Sequence, residues 1–278
     1  MKRVILLLSA VLAVACNTTT ELNVMSFNIR YDNPDDAEIG YGWASRRDAV
    51  AAVIRANAID IFGTQEVLSN QFADLKERLP EYEAVGVGRE DGESAGEHNA
   101  VFFLRDRFDL LDAGTFWLSE TPDEVSQGWD GACKRTLTWA HLREKSTGKS
   151  FYYLNTHFDH RGPEARRQSA LLVVDWVREH IPAEAAVIIG GDLNSSIDDP
   201  IFDPMKSEYL VARDIADPSD FEGTFNGFGS APNNIVLDHF FCRGIDLEQK
   251  PVLMVLRGDY GAPYISDHYP VVFDFRLP

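Results

Sequence analysis

Cysteine is scarce in this chain. Cys16, Cys133 and Cys242 are the three in 278 residues, too few for a disulfide scaffold or for a zinc site built from cysteine ligands. Whether Cys133 and Cys242 pair with each other is not settled by their positions in the sequence. Basic residues are also short, 26 Lys and Arg against 44 Asp and Glu, for a formal net charge of −18. Most of such a surface repels a polyanion, so a long nucleic acid is a poor default partner, whereas the carboxylate surplus suits divalent cations that take hard oxygen ligands. There is no G-x-S-x-G elbow, and neither Cys133 nor Cys242 sits in a nucleophile motif, which leaves a serine or cysteine nucleophile without support. Internal repeats and low-complexity linkers are missing too, and the apolar run from Val4 to Val14 is too short to span a bilayer comfortably.

What is present is an ordinary globular composition, 45% hydrophobic and 25% charged, sufficient for one large core. The N-terminus differs in kind. Lys2 and Arg3 precede the apolar run, which ends in "AVAC", the pattern of an export signal with a small-residue exit. Cys16 directly after those small residues resembles a bacterial lipobox. The resemblance implies cleavage before Cys16, lipidation of that residue and anchoring in the cell envelope; Asn17 favours the outer membrane by analogy with enteric bacteria. Residues 1–20 are therefore expected to be signal and tether, and 21–278 a single domain, monomeric apart from its lipid anchor.

Strand-like and helix-like segments alternate along that domain. "LNVMSFNI" sets Leu22, Val24, Ser26 and Asn28 on one side and Met25, Phe27 and Ile29 on the other, the period of a strand. "ASRRDAVAAVIRANA" places Val50, Val53 and Ile54 on one helical face; "SNQFADLKERLP" stripes Phe72, Leu75 and Leu79, with Ser69 as N-cap and Pro80 as stop. A third helix is expected from Pro163 to before Pro182, with Ala170, Val173, Val174 and Val177 inward. "YEAVGVG", "NAVFFL", "GTFWLS", "RTLTWAHL", "FYYLNTH", "AVIIGGDLN", "NIVLDHFF", "PVLMVL" and "PVVFDF" read as strands. Many follow one another without an intervening helix. That order favours an α/β (α+β) four-layer sandwich, two mixed or mostly antiparallel sheets packed face to face and flanked by helices.

The strand exits carry an unusual set of side chains. Asn28 ends "SFN", Glu66 follows "TQ", Asn155 and His157 lie in "LNTHFDH", Asp192 and Asn194 in "GGDLN", Asp238 in "VLDHF", and Asp267 with His268 in "SDHYP". Each alone reads as turn chemistry, because Asn, Asp and Gly favour tight turns. Jointly they deliver an amide, a carboxylate or an imidazole to the end of nearly every interior-looking strand.

In order, these motifs resemble the endonuclease/exonuclease/phosphatase superfamily of metal-dependent phosphoesterases, over roughly residues 21 to 278. "FNIRYDNPDD", "GTFWLSETPD", "GWDGACKRTLTWAHL" and "NTHFDHRGPEARRQSA" look like an exported bacterial subgroup of it. The resemblance implies that Glu66 and Asp267 hold Mg²⁺, with Mn²⁺ as its substitute and Asn28 beside the metal. It implies Asp192 as base for the attacking water, Asn194 on the scissile phosphate or that water, and His157 with Asn155 in the catalytic set. His268, oriented by Asp238, and His157 are the expected donors to the phosphoryl oxygens. Glu97, next to His98, resembles a glutamate that supports the His157 position. Arg30 reads either as a bidentate phosphate clamp or as a surface arginine. Arg135, Asp159, His160 and Arg166 are expected to shape the substrate pocket, although "EARRQ" equally reads as a solvated helix face. Trp43, Trp117, Trp129 and Trp139 are expected in core or pocket wall. The function expected is hydrolysis of a small phosphodiester or phosphomonoester in the envelope; a nuclease acting on DNA or RNA is the runner-up, and a non-catalytic binding module on the same fold the alternative of another class.

Overall fold

The computed structural model describes residues 19–278; Cys16 and the export segment lie outside them. In chain order the strands are β1 (Thr20–Asn28), β2 (Ile61–Gln65), β3 (Tyr82–Val85), β4 (Val101–Leu104), β5 (Phe108–Trp117), β6 (Thr136–Glu144), β7 (Ser150–His157), β8 (Ala186–Asp192), β9 (Leu210–Val211), β10 (Asp238–Arg243), β11 (Val252–Val255) and β12 (Val271–Leu277). The helices are α1 (Pro34–Glu38), α2 (Trp43–Ala56), α3 (Ser69–Arg78), α4 (Pro163–His180), α5 (Asp203–Glu208) and α6 (Ala212–Ile215).

The strands form two six-stranded sheets, ordered β11-β12-β1-β2-β4-β3 and β5-β6-β7-β8-β10-β9. Each is mixed. One parallel pair, β1 with β2 and β7 with β8, sits inside each otherwise antiparallel sheet, so the expected four-layer sandwich is the fold observed.

The alternation in β1 is what makes it a hinge between layers. Leu22 and Val24 pack inward against Phe151, Tyr153 and Ile188 of the second sheet, while Met25, Phe27 and Ile29 pack outward on Val50, Val53 and Ile54 of α2. On the far side α4 lays Ala170, Val173, Val174 and Val177 onto Leu154, Val187 and Ile189. Toward the carboxyl ends of β1 and β7 the layer between the sheets turns polar. Tyr153 donates from its hydroxyl to the Met25 carbonyl at 2.9 Å and accepts from Gly63 N at 3.1 Å, stitching the sheets together. Gly63 must be glycine here, because a Cβ would stand 2.5 Å from Asn155 Oδ1 and 2.9 Å from the Tyr153 hydroxyl.

Several local expectations shift. Ser69 is the first residue of α3 and not its cap: Gln71 reaches back to accept from Leu68 N at 3.1 Å, while Ser69 binds the Ser94 carbonyl. The strand read at "NIVLDHFF" begins only at Asp238, because the preceding residues pair with another loop, Gly223 N with Asn233 O and Thr224 N with Ile235 O. Cys133 and Cys242 are free thiols, the first partly exposed and the second in the core between the sheets.

Candidate active site

Strand register builds the centre of the site. His157 is the pairing partner of Asp192 across β7 and β8, and Asp238 is its partner across β8 and β10. Three consecutive strands therefore place imidazole, carboxylate and carboxylate in one row, about 5 Å apart. Asn28, on the inward side of β1, reaches across from the other sheet and donates from Nδ2 to Asp192 Oδ2 at 3.0 Å and to Glu66 Oε1 at 3.0 Å.

Immediately beyond the strands the backbone is strained. Arg30, Glu66 and Asn194 adopt φ of 58°, 63° and 51°, left-handed conformations that cost a non-glycine residue about 1 kcal/mol or more each. Local bonds hold them. Arg30 N donates to Asn28 Oδ1 and Asn194 N to Asp192 Oδ1, both at 3.0 Å, and Glu66 Oε2 accepts from Tyr31 N at 3.2 Å. The turn after Asp192 is thus real, and its role is to aim the carboxylate.

Asp192 is 1% exposed and surrounded. Besides Asn28, its Oδ2 lies 3.4 Å from His157 Nε2 and 3.6 Å from His268 Nε2. Burial, with the Asp238 charge nearby, raises its pKa above the ordinary carboxylate range, against the pull of His268. The two histidines diverge. Burial disfavours charge on His268, but Asp238, whose Oδ2 lies 2.9 Å from Nδ1, and Asp192 overcome it and hold the imidazolium. His157 is driven well below the usual histidine value by burial and by the charges of Arg135 and Arg89. Two imidazoles on one carboxylate oxygen are therefore kept one charged and one neutral.

Glu66 and Asp267 converge on a single cationic atom. Arg30 Nη1 lies 3.6 Å from Asp267 Oδ2 and 4.0 Å from Glu66 Oε2. Burial raises the Asp267 pKa, and Glu66 adds to the rise, against the pull of His268, Arg30 and Arg46; Glu66 and Asp267 are thus two hard-oxygen donors facing one cavity. That donor set fits an octahedral divalent ion that keeps several waters. The Asp192–Asp238–His268 group is also close enough to hold a metal. His268 Nδ1 is, however, committed to Asp238 at 2.9 Å, while Nε2 lies 3.6 Å from Asp192, too long for a hydrogen bond, so Asp238 orients the imidazole and Asp192 pairs with it by charge.

Arg30, Glu66, His157, Asp192, Asp267 and His268 line a cavity of about 500 Å³, together with Tyr31, Arg89, Glu97, Cys133, Arg135, His160, Asn194, Phe225 and Leu237; Asn28 and Asp238 lie behind its wall. Asn194 Nδ2 stands 3.0 Å from His157 Nε2 and donates to the Phe158 carbonyl at 3.0 Å. Five expected site residues are corrected by position. Asn155 lies behind the site, donating to the Thr64 and Ala100 carbonyls and accepting from Gln65, so it supports strand ends and does not reach the cavity. Glu97 does not support His157: it pairs with Arg89 at 2.6 Å, and His157 Nδ1 has no partner among the described residues. Arg30 commits its fork to Asp36 at 2.8 and 3.2 Å and so is no bidentate phosphate clamp. Asp159 and Arg166 are structural: Asp159 accepts from the backbone of Ala132, Arg161 and Gly162, and Arg166 donates to the Asp159 carbonyl.

Sequence reading missed Arg46, Arg89 and Phe225. Arg46, 1% exposed, donates to the carbonyls of Tyr41, Ile29, Ile265 and Arg30 at 2.7, 2.7, 2.9 and 3.2 Å, and so ties together the loops that carry Glu66's neighbours and Asp267. Its place in the apolar period of α2, on the face of Val50, Val53 and Ile54, was the signal for its burial, masked by the second arginine beside it. Phe225 meets His268 edge-on at 5.0 Å, from a loop without a motif.

Residues 25–268 match the model of the Endonuclease/Exonuclease/phosphatase family. An endonuclease/exonuclease/phosphatase of Bacteroides vulgatus is 37% identical and superposes with a TM-score of 0.85, covering 93% of this chain and all of that one (100%). A mannosyl-6-phosphatase of Bacteroides thetaiotaomicron is 35% identical with a TM-score of 0.84, covering 91% of this chain and 99% of that one. A protein of Acanthamoeba polyphaga mimivirus is 26% identical over 253 residues, 85% of this chain and 93% of its own length.

Proposed function

Since the chain belongs to the endonuclease/exonuclease/phosphatase family, whose members hydrolyse phosphoesters with a divalent metal, we propose that it is a Mg²⁺-dependent hydrolase of a small phosphomonoester or phosphodiester, exported and held in the cell envelope by a lipid on Cys16. One observation carries the catalytic reading: Asp192, buried and flanked by Asn28, Asn194, His157 and His268, faces the same cavity as Glu66 and Asp267.

The chemistry follows from the side chains. Asp192 takes a proton from water as the water oxygen forms its bond to phosphorus in line with the ester oxygen; the P–O bond to the alcohol breaks, and the alcohol leaves with a proton from solvent or the site. His268, kept charged by Asp238, donates to the phosphoryl oxygens where negative charge accumulates. Asn194 orients the phosphate or the water. Glu66 and Asp267 would hold a divalent ion, which would supply positive charge to offset the negative charge that develops in the reaction.

Substrate size is supported by the cavity, which suits one small ligand, and by the net charge of −18, which disfavours a polyanion. The 35%-identical neighbour is a mannosyl-6-phosphatase, in keeping with a small monoester. The test is hydrolysis of a panel of small phosphoesters, plasmid DNA and RNA with Mg²⁺ and with chelator. Turnover of at least one small ester that chelator abolishes is expected; faster nuclease than small-ester turnover at physiological salt would replace this reading with the nuclease one. Absence of any metal-dependent turnover would favour a binding module instead.

A further inference from the structure

We propose that Arg89, Glu97, Arg135 and His160 form a recognition wall for an uncharged, hydroxyl-rich alcohol, so that the substrate is the phosphate ester of a polyol such as a sugar. This rests on the phosphoesterase reading of the cleft and names what the phosphate is attached to.

The wall is built before any ligand arrives. Residues 88–97 form a tight hairpin, with Arg89 N donating to Glu97 O at 3.1 Å and Glu90 N to Ala95 O at 3.0 Å. It is pinned to the second sheet by Trp117 Nε1 on the Arg89 carbonyl at 2.8 Å and by Lys134 on Glu90 at 2.5 Å. Arg89 and Glu97 are thus rigidly presented beside His157, whose imidazole feels the charges of Arg135 and Arg89.

Charge balance decides the ligand. Arg89 and Arg135 contribute two positive charges, and Glu97 and Asp159 two negative ones. Each guanidinium of the wall already has a carboxylate partner, so a second phosphate or carboxylate on the substrate would compete with Glu97 for them. A hydroxyl differs, because it donates and accepts at once. Here acceptor and donors alternate: Glu97 Oε2 lies 2.6 Å from Arg89 Nη1 but 4.0 Å from Arg135 Nη1, and Arg135 Nη2 is 3.0 Å from His160 Nδ1. The 4.0 Å separation is too long for a hydrogen bond and leaves an acceptor and a donor for one intervening hydroxyl. Arg135 is 5% exposed, and its Nε and that of Arg89 have no hydrogen-bond partner among the described residues, so the wall holds two buried donors that lack an acceptor. Phe225 and Leu237 give the same cavity an apolar side for the C–H face of such an alcohol.

The experiment compares kcat/KM for hexose monophosphates, n-hexyl phosphate, a hexose bisphosphate and p-nitrophenyl phosphate, in the full protein and in Glu97→Gln and Arg89→Lys. A site that hydrogen-bonds hydroxyls rejects analogues lacking them, so the hexose monophosphates should exceed n-hexyl phosphate by at least about 100-fold. Both variants should shrink that ratio about 10-fold or more while circular dichroism shows a native fold. Equal turnover of the hexose and hexyl esters, preference for the bisphosphate, or a ratio untouched by both variants overturns the proposal while the phosphoesterase reading stands. No hydrolysis of p-nitrophenyl phosphate or any other ester would remove the underlying reading itself.

Discussion

Asn28 and Asp192 lie 164 positions apart in the chain and 3.0 Å apart in space, an amide of one sheet donating to a carboxylate of the other. Because Asn28 also donates to Glu66, a single side chain couples the base to the carboxylate pair. Geometry at the phosphoryl group therefore depends on how the two sheets pack, and the residues between them govern activity as well as stability.

Replacing Asp192 by Asn removes the proton acceptor while preserving shape. Turnover should fall by about 100-fold to 10,000-fold, the range for losing a general base. The melting temperature should hold or rise, since the buried charge disappears. Retention of full activity with Mg²⁺ would show that the base is another group.

Arg46 acts through the loops it ties. Arg46→Lys keeps the charge and loses the planar fork, so one ammonium must serve four carbonyls. Divalent-ion affinity by isothermal titration should weaken about 10-fold or more, as for other residues that orient ligands from behind. Unchanged affinity would confine Arg46 to a folding role.

Tyr153→Phe deletes the hydroxyl that joins the Met25 carbonyl to Gly63 N. The buried amide of Gly63 loses this acceptor. Unfolding by urea should reveal a loss of about 1–3 kcal/mol; a change below a few tenths would mean that the stitch is redundant.

His239 predicts acid sensitivity. Burial lowers its pKa from 6.5 to about 4, against the pull of the Ser195 carbonyl at 2.9 Å. A histidine depressed in the folded state is neutral in both states above pH 6.5, while below it the unfolded chain binds the proton first. Its contribution is therefore intact above 6.5 and lost progressively as pH falls toward 4, on the order of 3 kcal/mol in all. Stability against pH should be measurably flatter over that window in His239→Gln, provided the variant keeps the native fold. An unaltered slope would refute the assignment.

Much of the fold was legible because its signals are local. Period-two alternation in β1 announced which side of the strand faces which layer, and the stripes Val50–Val53–Ile54 and Ala170–Val173–Val174–Val177 announced the covering helices. Polar strand ends announced Asn28, Glu66, His157, Asp192, Asp238, Asp267 and His268, which meet at one edge of the sandwich. The misread positions differ in cause: Asn155 turns to Thr64, Gln65 and Ala100, all distant in the chain, whereas Glu97 is drawn to Arg89, eight residues away, by the tight turn between them.

The sequence alone determined element type, the inward and outward faces and the inventory of acids, amides and imidazoles, since those depend on the spacing of side chains along a few residues. Tertiary structure alone decided which donor each group takes, that one histidine carries charge and the other does not, and which carbonyls Arg46 serves. Those outcomes depend on the packing of two sheets, and hydrogen bonds and desolvation act only over the few ångströms that packing brings about.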